Sequence, residues 1–130
     1  MEIILWILQI LLAAVFLAHG LFMVAPPAEY AVIINAELGR AFSLFIGIAE
    51  VLAALALIVP GLARRLTWLT PLAAAGLMIV MVSATALHGY RGEGSSAITT
   101  AVLLVLVTFV AYMRWKVRPL VRIFSPAQTA

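Results

Sequence analysis

Cysteine and aspartate are absent from this chain of 130 residues, and charged residues of all kinds make up only 10% of it. Without cysteine there is no disulfide, no thiol redox chemistry and no thiolate ligand for zinc or an iron–sulfur cluster. Without aspartate there is no conventional Ser-His-Asp triad. An ordinary soluble domain has about 25% charged residues. The chain has too little polar surface to cover a soluble core, so we expect a membrane protein.

Apolar residues form long runs that account for the rest of the composition, with 66% of the chain hydrophobic. A membrane-spanning helix needs about 20 mostly apolar residues. Four segments meet this requirement, at about residues 3–24, 42–59, 68–88 and 96–112. The sequence therefore predicts an all-α fold, a four-transmembrane-helix bundle over residues 1–113. A basic cytoplasmic tail, residues 114–130, is expected to follow it.

Prolines and small polar residues mark the expected helix ends. Pro26-Pro27 and Pro60-Gly61 are expected to close the first and second helices, because proline lacks a backbone donor. Capping hydroxyls are expected at the starts of the third and fourth helices, from Thr67 or Thr70 and from Ser95 or Ser96.

The first loop, from Pro26 to Arg40, is longer than a turn. Within it Tyr30, Ile33, Ile34 and Leu38 recur at helical spacing. This pattern predicts a short amphipathic helix lying on the outer membrane surface. A partly ordered loop is the alternative interpretation.

Basic residues predict the orientation in the membrane. Six lie on the side shared by the N-terminus, the second loop and the tail, and only two on the other side: Arg64, Arg65, Arg114, Lys116, Arg118 and Arg122 against Arg40 and Arg91. The positive-inside rule then places both termini in the cytoplasm of a bacterial cell, with the bundle in the inner membrane. We expect the tail to contact anionic lipids. A nucleic-acid role is not expected, because these charges lie beside the membrane.

Two polar side chains are predicted deep in the membrane, where each is costly. Glu50 shares a helix face with small residues and is expected to point into the bundle. His19 lies about 8 Å above the plane of Glu50 by helix rise, so the two can meet directly or through water. Two interpretations remain open for Glu50: a hydrogen bond that holds the bundle together, and a proton-relay or ligand-binding role.

His88 and Arg40 complete the candidate ligand-binding set with His19 and Glu50. His88 ends the third helix, and we expect it to meet Glu37, Arg40 or the Arg91/Glu93 loop. Bis-histidine haem ligation by His19 and His88 is disfavoured, because their depths differ by about 7 Å and such ligands need similar depth.

Several stretches resemble the DoxX-like family of four-helix membrane proteins. They are Gly47-Ile-Ala-Glu50, Leu57-Ile-Val-Pro60-Gly61, Arg64-Arg65, Leu72-Ala-Ala-Ala-Gly76-Leu-Met and Ala86-Leu-His88-Gly-Tyr-Arg91-Gly-Glu93. The G-x-x-E and H-x-x-R-G-E elements are the most specific. The family takes its name from a subunit of a thiosulfate:quinone oxidoreductase, and the resemblance implies membership of a membrane redox or stress-response assembly. It implies no particular catalytic residue.

Three functions remain open at this stage. The first is a component of a membrane redox assembly that binds a quinone-like or other apolar ligand between its helices. The second is a non-enzymatic scaffold or accessory subunit, as a homo-oligomer or with other membrane proteins. The third, a small transporter or proton path through Glu50, is weakened because few polar groups occupy the cytoplasmic half.

Overall fold

The computed structural model describes residues 1–121 and contains five α-helices followed by one π-helical segment. The helices are α1 (Glu2–Val24), α2 (Ala28–Glu37), α3 (Arg40–Ala63), α4 (Leu69–Tyr90) and α5 (Gly94–Tyr112), and the π-helix is Met113–Val117. The described residues form no strand. The all-α prediction is confirmed.

Four of these elements are long and apolar enough to cross a membrane: α1, α3, α4 and the continuous rod formed by α5 and the π-helix. Helices suit this environment because the backbone N–H and C=O groups of the span form hydrogen bonds within the helix itself. The protein is thus a multi-pass membrane protein. Arg114 and Lys116 lie in this last rod, so the helical structure runs past the predicted start of the tail. The predicted lipid contact of Arg122 lies outside the described residues.

The bundle has an up-and-down order in which helices adjacent along the chain are neighbours in space. α1 packs mainly on α3, α4 packs mainly on α5, and an interface between α3 and α4 joins the two pairs. Core side chains fill the space between them, including Leu12, Phe16, Leu57, Leu77 and Val107. We call the end where α1 begins and α5 ends the terminal end, and the opposite end, with α2, the loop end.

The second spanning helix continues beyond its predicted end. Pro60 lies within α3, which ends at Ala63. Proline cannot donate to the carbonyl four residues earlier, that of Ala56. The hydroxyl of Thr70 donates to that carbonyl instead, with an oxygen–oxygen distance of 3.0 Å. α3 therefore continues as a helix beyond Pro60, because the Thr70 hydroxyl of α4 supplies the hydrogen-bond donor that the proline lacks.

The predicted capping hydroxyls are not used as caps. Trp68 and Glu93 occupy the N-cap positions of α4 and α5, and neither makes a side-chain capping hydrogen bond. Ser95 and Ser96 lie inside α5, where their carbonyls accept from threonine hydroxyls. The capping prediction was wrong: the Thr70 hydroxyl donates to α3, and α5 begins at Gly94, before either serine.

The predicted short helix in the first loop is confirmed as α2. Of the four apolar residues that predicted it, only Ile34 is buried. Tyr30 packs edge-on against Phe22 of α1, with ring centroids 5.4 Å apart. Its position on a membrane surface stays a prediction.

Candidate functional site

Two glycines bring α1 and α3 into close contact near the loop end. A Cβ atom added to Gly20 would lie 2.8 Å from the carbonyl oxygen of Gly47, and one added to Gly47 would lie 2.7 Å from that of Gly20. Both positions therefore require glycine for the backbones to approach this closely. Gly47 precedes Glu50 by one helical turn, and Gly20 follows His19 directly. The close approach positions these two polar side chains opposite each other.

We call the close contact of α1 and α3 at Gly20 and Gly47 the seam. His19 and Glu50 form a direct hydrogen bond across it, and we call these two residues the seam pair. Nδ1 of His19 lies 2.6 Å from Oε2 of Glu50. Glu50 is buried and points into the bundle, as its small-residue helix face predicted. The predicted proximity of the two side chains is confirmed, whereas ligand binding by them stays a prediction.

The His19 ring is open to the surface of the bundle on its other side. Its side chain is 50% exposed, whereas that of Glu50 is 1% exposed. Among residues 1–121 no group forms a hydrogen bond with Nε2 of His19. In a membrane this surface faces lipid or another molecule. The seam pair thus links a carboxylate inside the bundle to a ring nitrogen at its periphery.

The G-x-x-E element now has a structural reason, since its glycine permits the helix contact and its glutamate forms the polar bond. The DoxX-like family model matches residues 7–110. The chain belongs to the DoxX-like family. No curated protein and no solved structure gives a significant match.

In this DoxX-like protein, the H-x-x-R-G-E element forms two polar side-chain contacts at the loop end. Nδ1 of His88 contacts the carboxylate of Glu93, one of the partners expected for it. Nη1 of Arg91 donates to Oε2 of Glu37 in α2 at 3.0 Å. The Arg91–Glu37 pair ties the α4–α5 loop to the end of α2, whereas the His88–Glu93 contact joins the end of α4 to the loop that follows it. They give His88 a partner separate from the seam pair.

Arg40 binds the end of α1. Its guanidinium donates to the carbonyls of Met23 and Val24, at 3.3 and 2.7 Å. These carbonyls belong to the last turn of a helix, where backbone acceptors lack intrahelical donors and a cation is favoured. Arg40 and His88 therefore do not join His19 and Glu50 in one cluster.

A second buried polar site lies at the terminal end. Nε2 of Gln9 donates to the carbonyl of Leu57, at 2.6 Å. Its Oε1 also accepts from Nε of Arg114 at 2.5 Å, and Nη1 of Arg114 donates to Oε1 of Glu2 at 2.6 Å. We call Glu2, Gln9 and Arg114 the basal cluster.

Arg114 is predicted to lie in the basic tail, yet its side chain is fully buried. Its guanidinium also lies 5.6 Å from the ring centroid of Trp6, in cation–π geometry. One signal pointed to this burial. Arg114 follows the buried Val107 and Val110 at helical spacing, on the face of α5 that packs into the bundle.

Within the described part of the chain, no three His, Cys, Asp or Glu side chains are close enough to hold a metal ion. The seam pair combines a buried acid with a ring that is open at the surface of the bundle.

Proposed function

We propose that this DoxX-like protein is a component of a membrane redox assembly that binds a quinone-like ligand against the seam pair. One observation carries the proposal: His19 is held by the buried Glu50 on one ring nitrogen and presents the other at the membrane-facing surface. In the proposal the chain supplies binding and proton contacts, and a partner in the assembly supplies the electrons.

The protonation chemistry of the seam pair suits a ligand that alternates between carbonyl and hydroxyl forms. If Glu50 is protonated, it donates to Nδ1, and Nε2 of a neutral His19 carries hydrogen and can donate to a quinone carbonyl. If Glu50 is ionised, Nδ1–H donates to it, and Nε2 of a neutral ring can accept from a quinol hydroxyl. The two states differ by one proton: when Nε2 gives its proton to the ligand and the Glu50 proton moves to Nδ1, the first state becomes the second.

The surroundings of His19 favour an apolar ring system. Val15 and Phe22 lie about one turn before and after His19 on the same face of α1. His19 precedes Val24, the last residue of the helix, by five residues, which is about 7.5 Å along the axis. A ligand head at this depth would lie just below the headgroups, with its apolar tail among the lipid chains.

A scaffold or accessory function is the second candidate, and the same exposed ring supports it. A polar side chain on a lipid-facing surface can hydrogen-bond to the helix of another membrane subunit or a second copy of this chain. A transport path is less well supported, because buried Leu12, Phe16 and Ala54 lie between the seam pair and Gln9.

Ligand retention tests the two candidates. The wild-type chain and His19→Phe would be purified in a mild detergent with a radiolabelled short-chain quinone. We expect about tenfold weaker retention in His19→Phe, the order expected for one lost hydrogen bond. Ser83→Ala is the matched control, because Ser83 is exposed on α4 and donates only to its own helix, at Ile79.

Equal quinone retention by all three proteins would refute ligand binding at His19. A protein subunit that copurifies with the wild type and Ser83→Ala, but not with His19→Phe, would instead support the scaffold function. Glu50→Gln separates charge from shape, since an amide keeps a hydrogen bond to His19 but cannot ionise. We expect it to stay folded and to lose quinone.

We further propose a bacterial inner-membrane location with the terminal end in the cytoplasm, on the basis of the six-to-two distribution of basic residues along the sequence. The cysteine-free chain allows single-cysteine labelling without background. In cells with a permeabilised outer envelope, an impermeant maleimide should label Ser95→Cys, at the exposed start of α5, and not Ala130→Cys. Labelling of Ala130→Cys alone would reverse the orientation.

A further inference from the structure

The last turn of α1 has backbone carbonyls that its own helix does not supply with donors. In an α-helix, each carbonyl accepts from the amide four residues later. Pro27 stands at that position for Met23, and a proline has no amide hydrogen to donate. Since α1 ends at Val24, the carbonyls of this turn need donors from elsewhere in the molecule.

Arg40, the first residue of α3, supplies these donors. Its Nη2 lies 2.7 Å from the carbonyl oxygen of Val24, and its Nη1 lies 3.3 Å from that of Met23. The backbone of Arg40 is held in turn, because its own carbonyl accepts from the hydroxyl of the fully buried Ser43 at 3.0 Å. A single residue thus joins the end of α1 to the start of α3.

This link and the glycine contact restrain different movements of the two helices. Gly20 and Gly47 determine how closely α1 and α3 approach each other, because each faces the backbone of the other helix. Peptide carbonyls lie roughly parallel to the helix axis. The bonds from Arg40 to the last carbonyls of α1 therefore oppose sliding of α1 along α3.

Sliding matters for the seam pair because its hydrogen bond tolerates little movement. Nδ1 of His19 and Oε2 of Glu50 are 2.6 Å apart, and a bond of this kind weakens beyond about 3.2 Å. A slip by a fraction of a helical turn, which is about 5.4 Å long, is enough to break it. Met23 lies one turn after His19, so Arg40 holds α1 close to the pair.

We propose that Arg40 is a positioning residue for the seam pair, which keeps His19 opposite Glu50 by fixing α1 against α3. Arg40 was predicted to contact a ligand, whereas in this proposal it acts through His19. The effect of Arg40 on the seam pair is independent of any ligand. Its effect on quinone binding rests on the proposed function.

Nitrogen NMR of His19 tests the positioning role directly. The chain contains two histidines, so in a protein labelled with nitrogen-15 histidine the His19 signals are those that disappear in His19→Phe. Glu50→Leu provides the reference for a His19 ring without its acid. In Arg40→Gln we expect the Nδ1 signal to move toward this reference, because the seam pair is aligned in fewer molecules.

Quinone retention is the second measurement on the same variant. We expect Arg40→Gln to bind a radiolabelled short-chain quinone about threefold more weakly than the wild type. This factor corresponds to an aligned seam pair in about one third of the molecules, because the apparent Kd varies inversely with the competent fraction. Arg40→Lys should lie between the two, since an ammonium donates to the same carbonyls without the planar fork of a guanidinium.

Arg91→Gln is the matched control for Arg40→Gln. It removes the same charge at the same end of the bundle, but Arg91 donates to Glu37 of α2 rather than to α1. Both arginines are exposed, so neither substitution removes a core contact. We expect the Nδ1 signal and the quinone retention of Arg91→Gln to match those of the wild type.

Three outcomes would overturn the positioning role. The first is a wild-type Nδ1 signal in Arg40→Gln, whatever its quinone retention. The second is an equal shift in Arg40→Gln and Arg91→Gln, which would assign the effect to the charge of the loop end. The third is a signal in Arg40→Lys no closer to the wild type than that of Arg40→Gln.

A different result would separate this inference from the proposed function. A shifted Nδ1 signal in Arg40→Gln, together with quinone retention equal to that of the wild type, would uphold the positioning role. The same result would refute quinone binding at the seam pair.

Discussion

The seam pair and the basal cluster each bury an ionisable side chain between helices. The two side chains differ in the number and the exposure of their hydrogen-bond partners. In the basal cluster, Arg114 is fully buried and bonds to two side chains and a backbone carbonyl. In the seam pair, Glu50 has one side-chain partner, His19, and that partner is half exposed. A buried charge with several fixed partners suits a structural role. One with a single, accessible partner suits exchange with a ligand.

Their relation to the family match also differs. His19 and Glu50 lie within the matched residues 7–110, whereas Glu2 and Arg114 lie outside them. The seam pair therefore belongs to the part of the chain that the family model describes. The basal cluster joins that part to the two segments that flank it.

The largest expected effect on stability comes from forcing α1 and α3 apart without substituting a residue of either polar site. Gly47→Ala places a Cβ atom 2.7 Å from the carbonyl oxygen of Gly20 and 2.8 Å from Cβ of Met23, so α1 and α3 must separate. We expect a loss of about 2–3 kcal/mol in unfolding free energy, typical of overpacking. Denaturant titration in detergent micelles would measure it.

Gly76→Ala is the matched control for that substitution. A Cβ atom at Gly76 meets nothing within 4 Å, and alanine is favoured over glycine in a helix by about 0.5–1 kcal/mol. We expect a neutral or stabilised protein. Equal losses for the two substitutions would contradict the close approach of α1 and α3.

The second effect concerns the basal cluster. Gln9→Leu removes the acceptor of Arg114 Nε and the donor to the Leu57 carbonyl. Because a buried cation then loses a partner, we expect a cost of about 2 kcal/mol in the same titration. A cost no greater than that of Glu50→Leu would remove the distinction between the two sites.

A smaller stability effect is expected at the seam pair. Glu50→Leu loses one hydrogen bond, and such bonds between membrane helices average about 0.6 kcal/mol. A double-mutant cycle with His19→Phe should give a coupling energy of this size. A coupling energy near that of a buried network, about 3 kcal/mol, would make the seam pair structural.

The smallest effect is expected at the exposed member of the basal cluster. The Glu2 side chain is 48% exposed, so its pair with Arg114 is partly screened. Glu2→Gln keeps an acceptor oxygen and should cost about 0.5 kcal/mol or less. Thermal unfolding at low and high salt would detect it, and the difference from wild type should shrink as salt is added.

The spanning helices, the short loop helix and the inward orientation of Glu50 could be predicted from periodicity and hydropathy. The meeting of His19 and Glu50 followed from their depths along two adjacent helices. These features depend on the local pattern of the sequence and on the thickness of the bilayer, which is about 30 Å for a typical membrane.

The burial of Arg114 depends instead on where distant segments meet. Its partners Gln9 and Glu2 are 105 and 112 residues away along the chain. A basic residue directly after an apolar run is typical of a charged membrane boundary. That pattern therefore favoured an outward rather than an inward position for Arg114. The passage of α3 through Pro60 depends likewise on Thr70 of another helix, which no local rule indicates.

The π-helix at Met113–Val117 makes the end of the fourth span sensitive to a change of one residue in chain length. The amide of Arg118 bonds to the carbonyl of Met113, five residues earlier, so this turn holds one residue more than an α-turn. Deleting one residue here would rotate the following chain by about 100°. A frame-preserving loss of a single codon would thus alter the end of the fourth span, which reaches Val117, while leaving the other three spans unchanged.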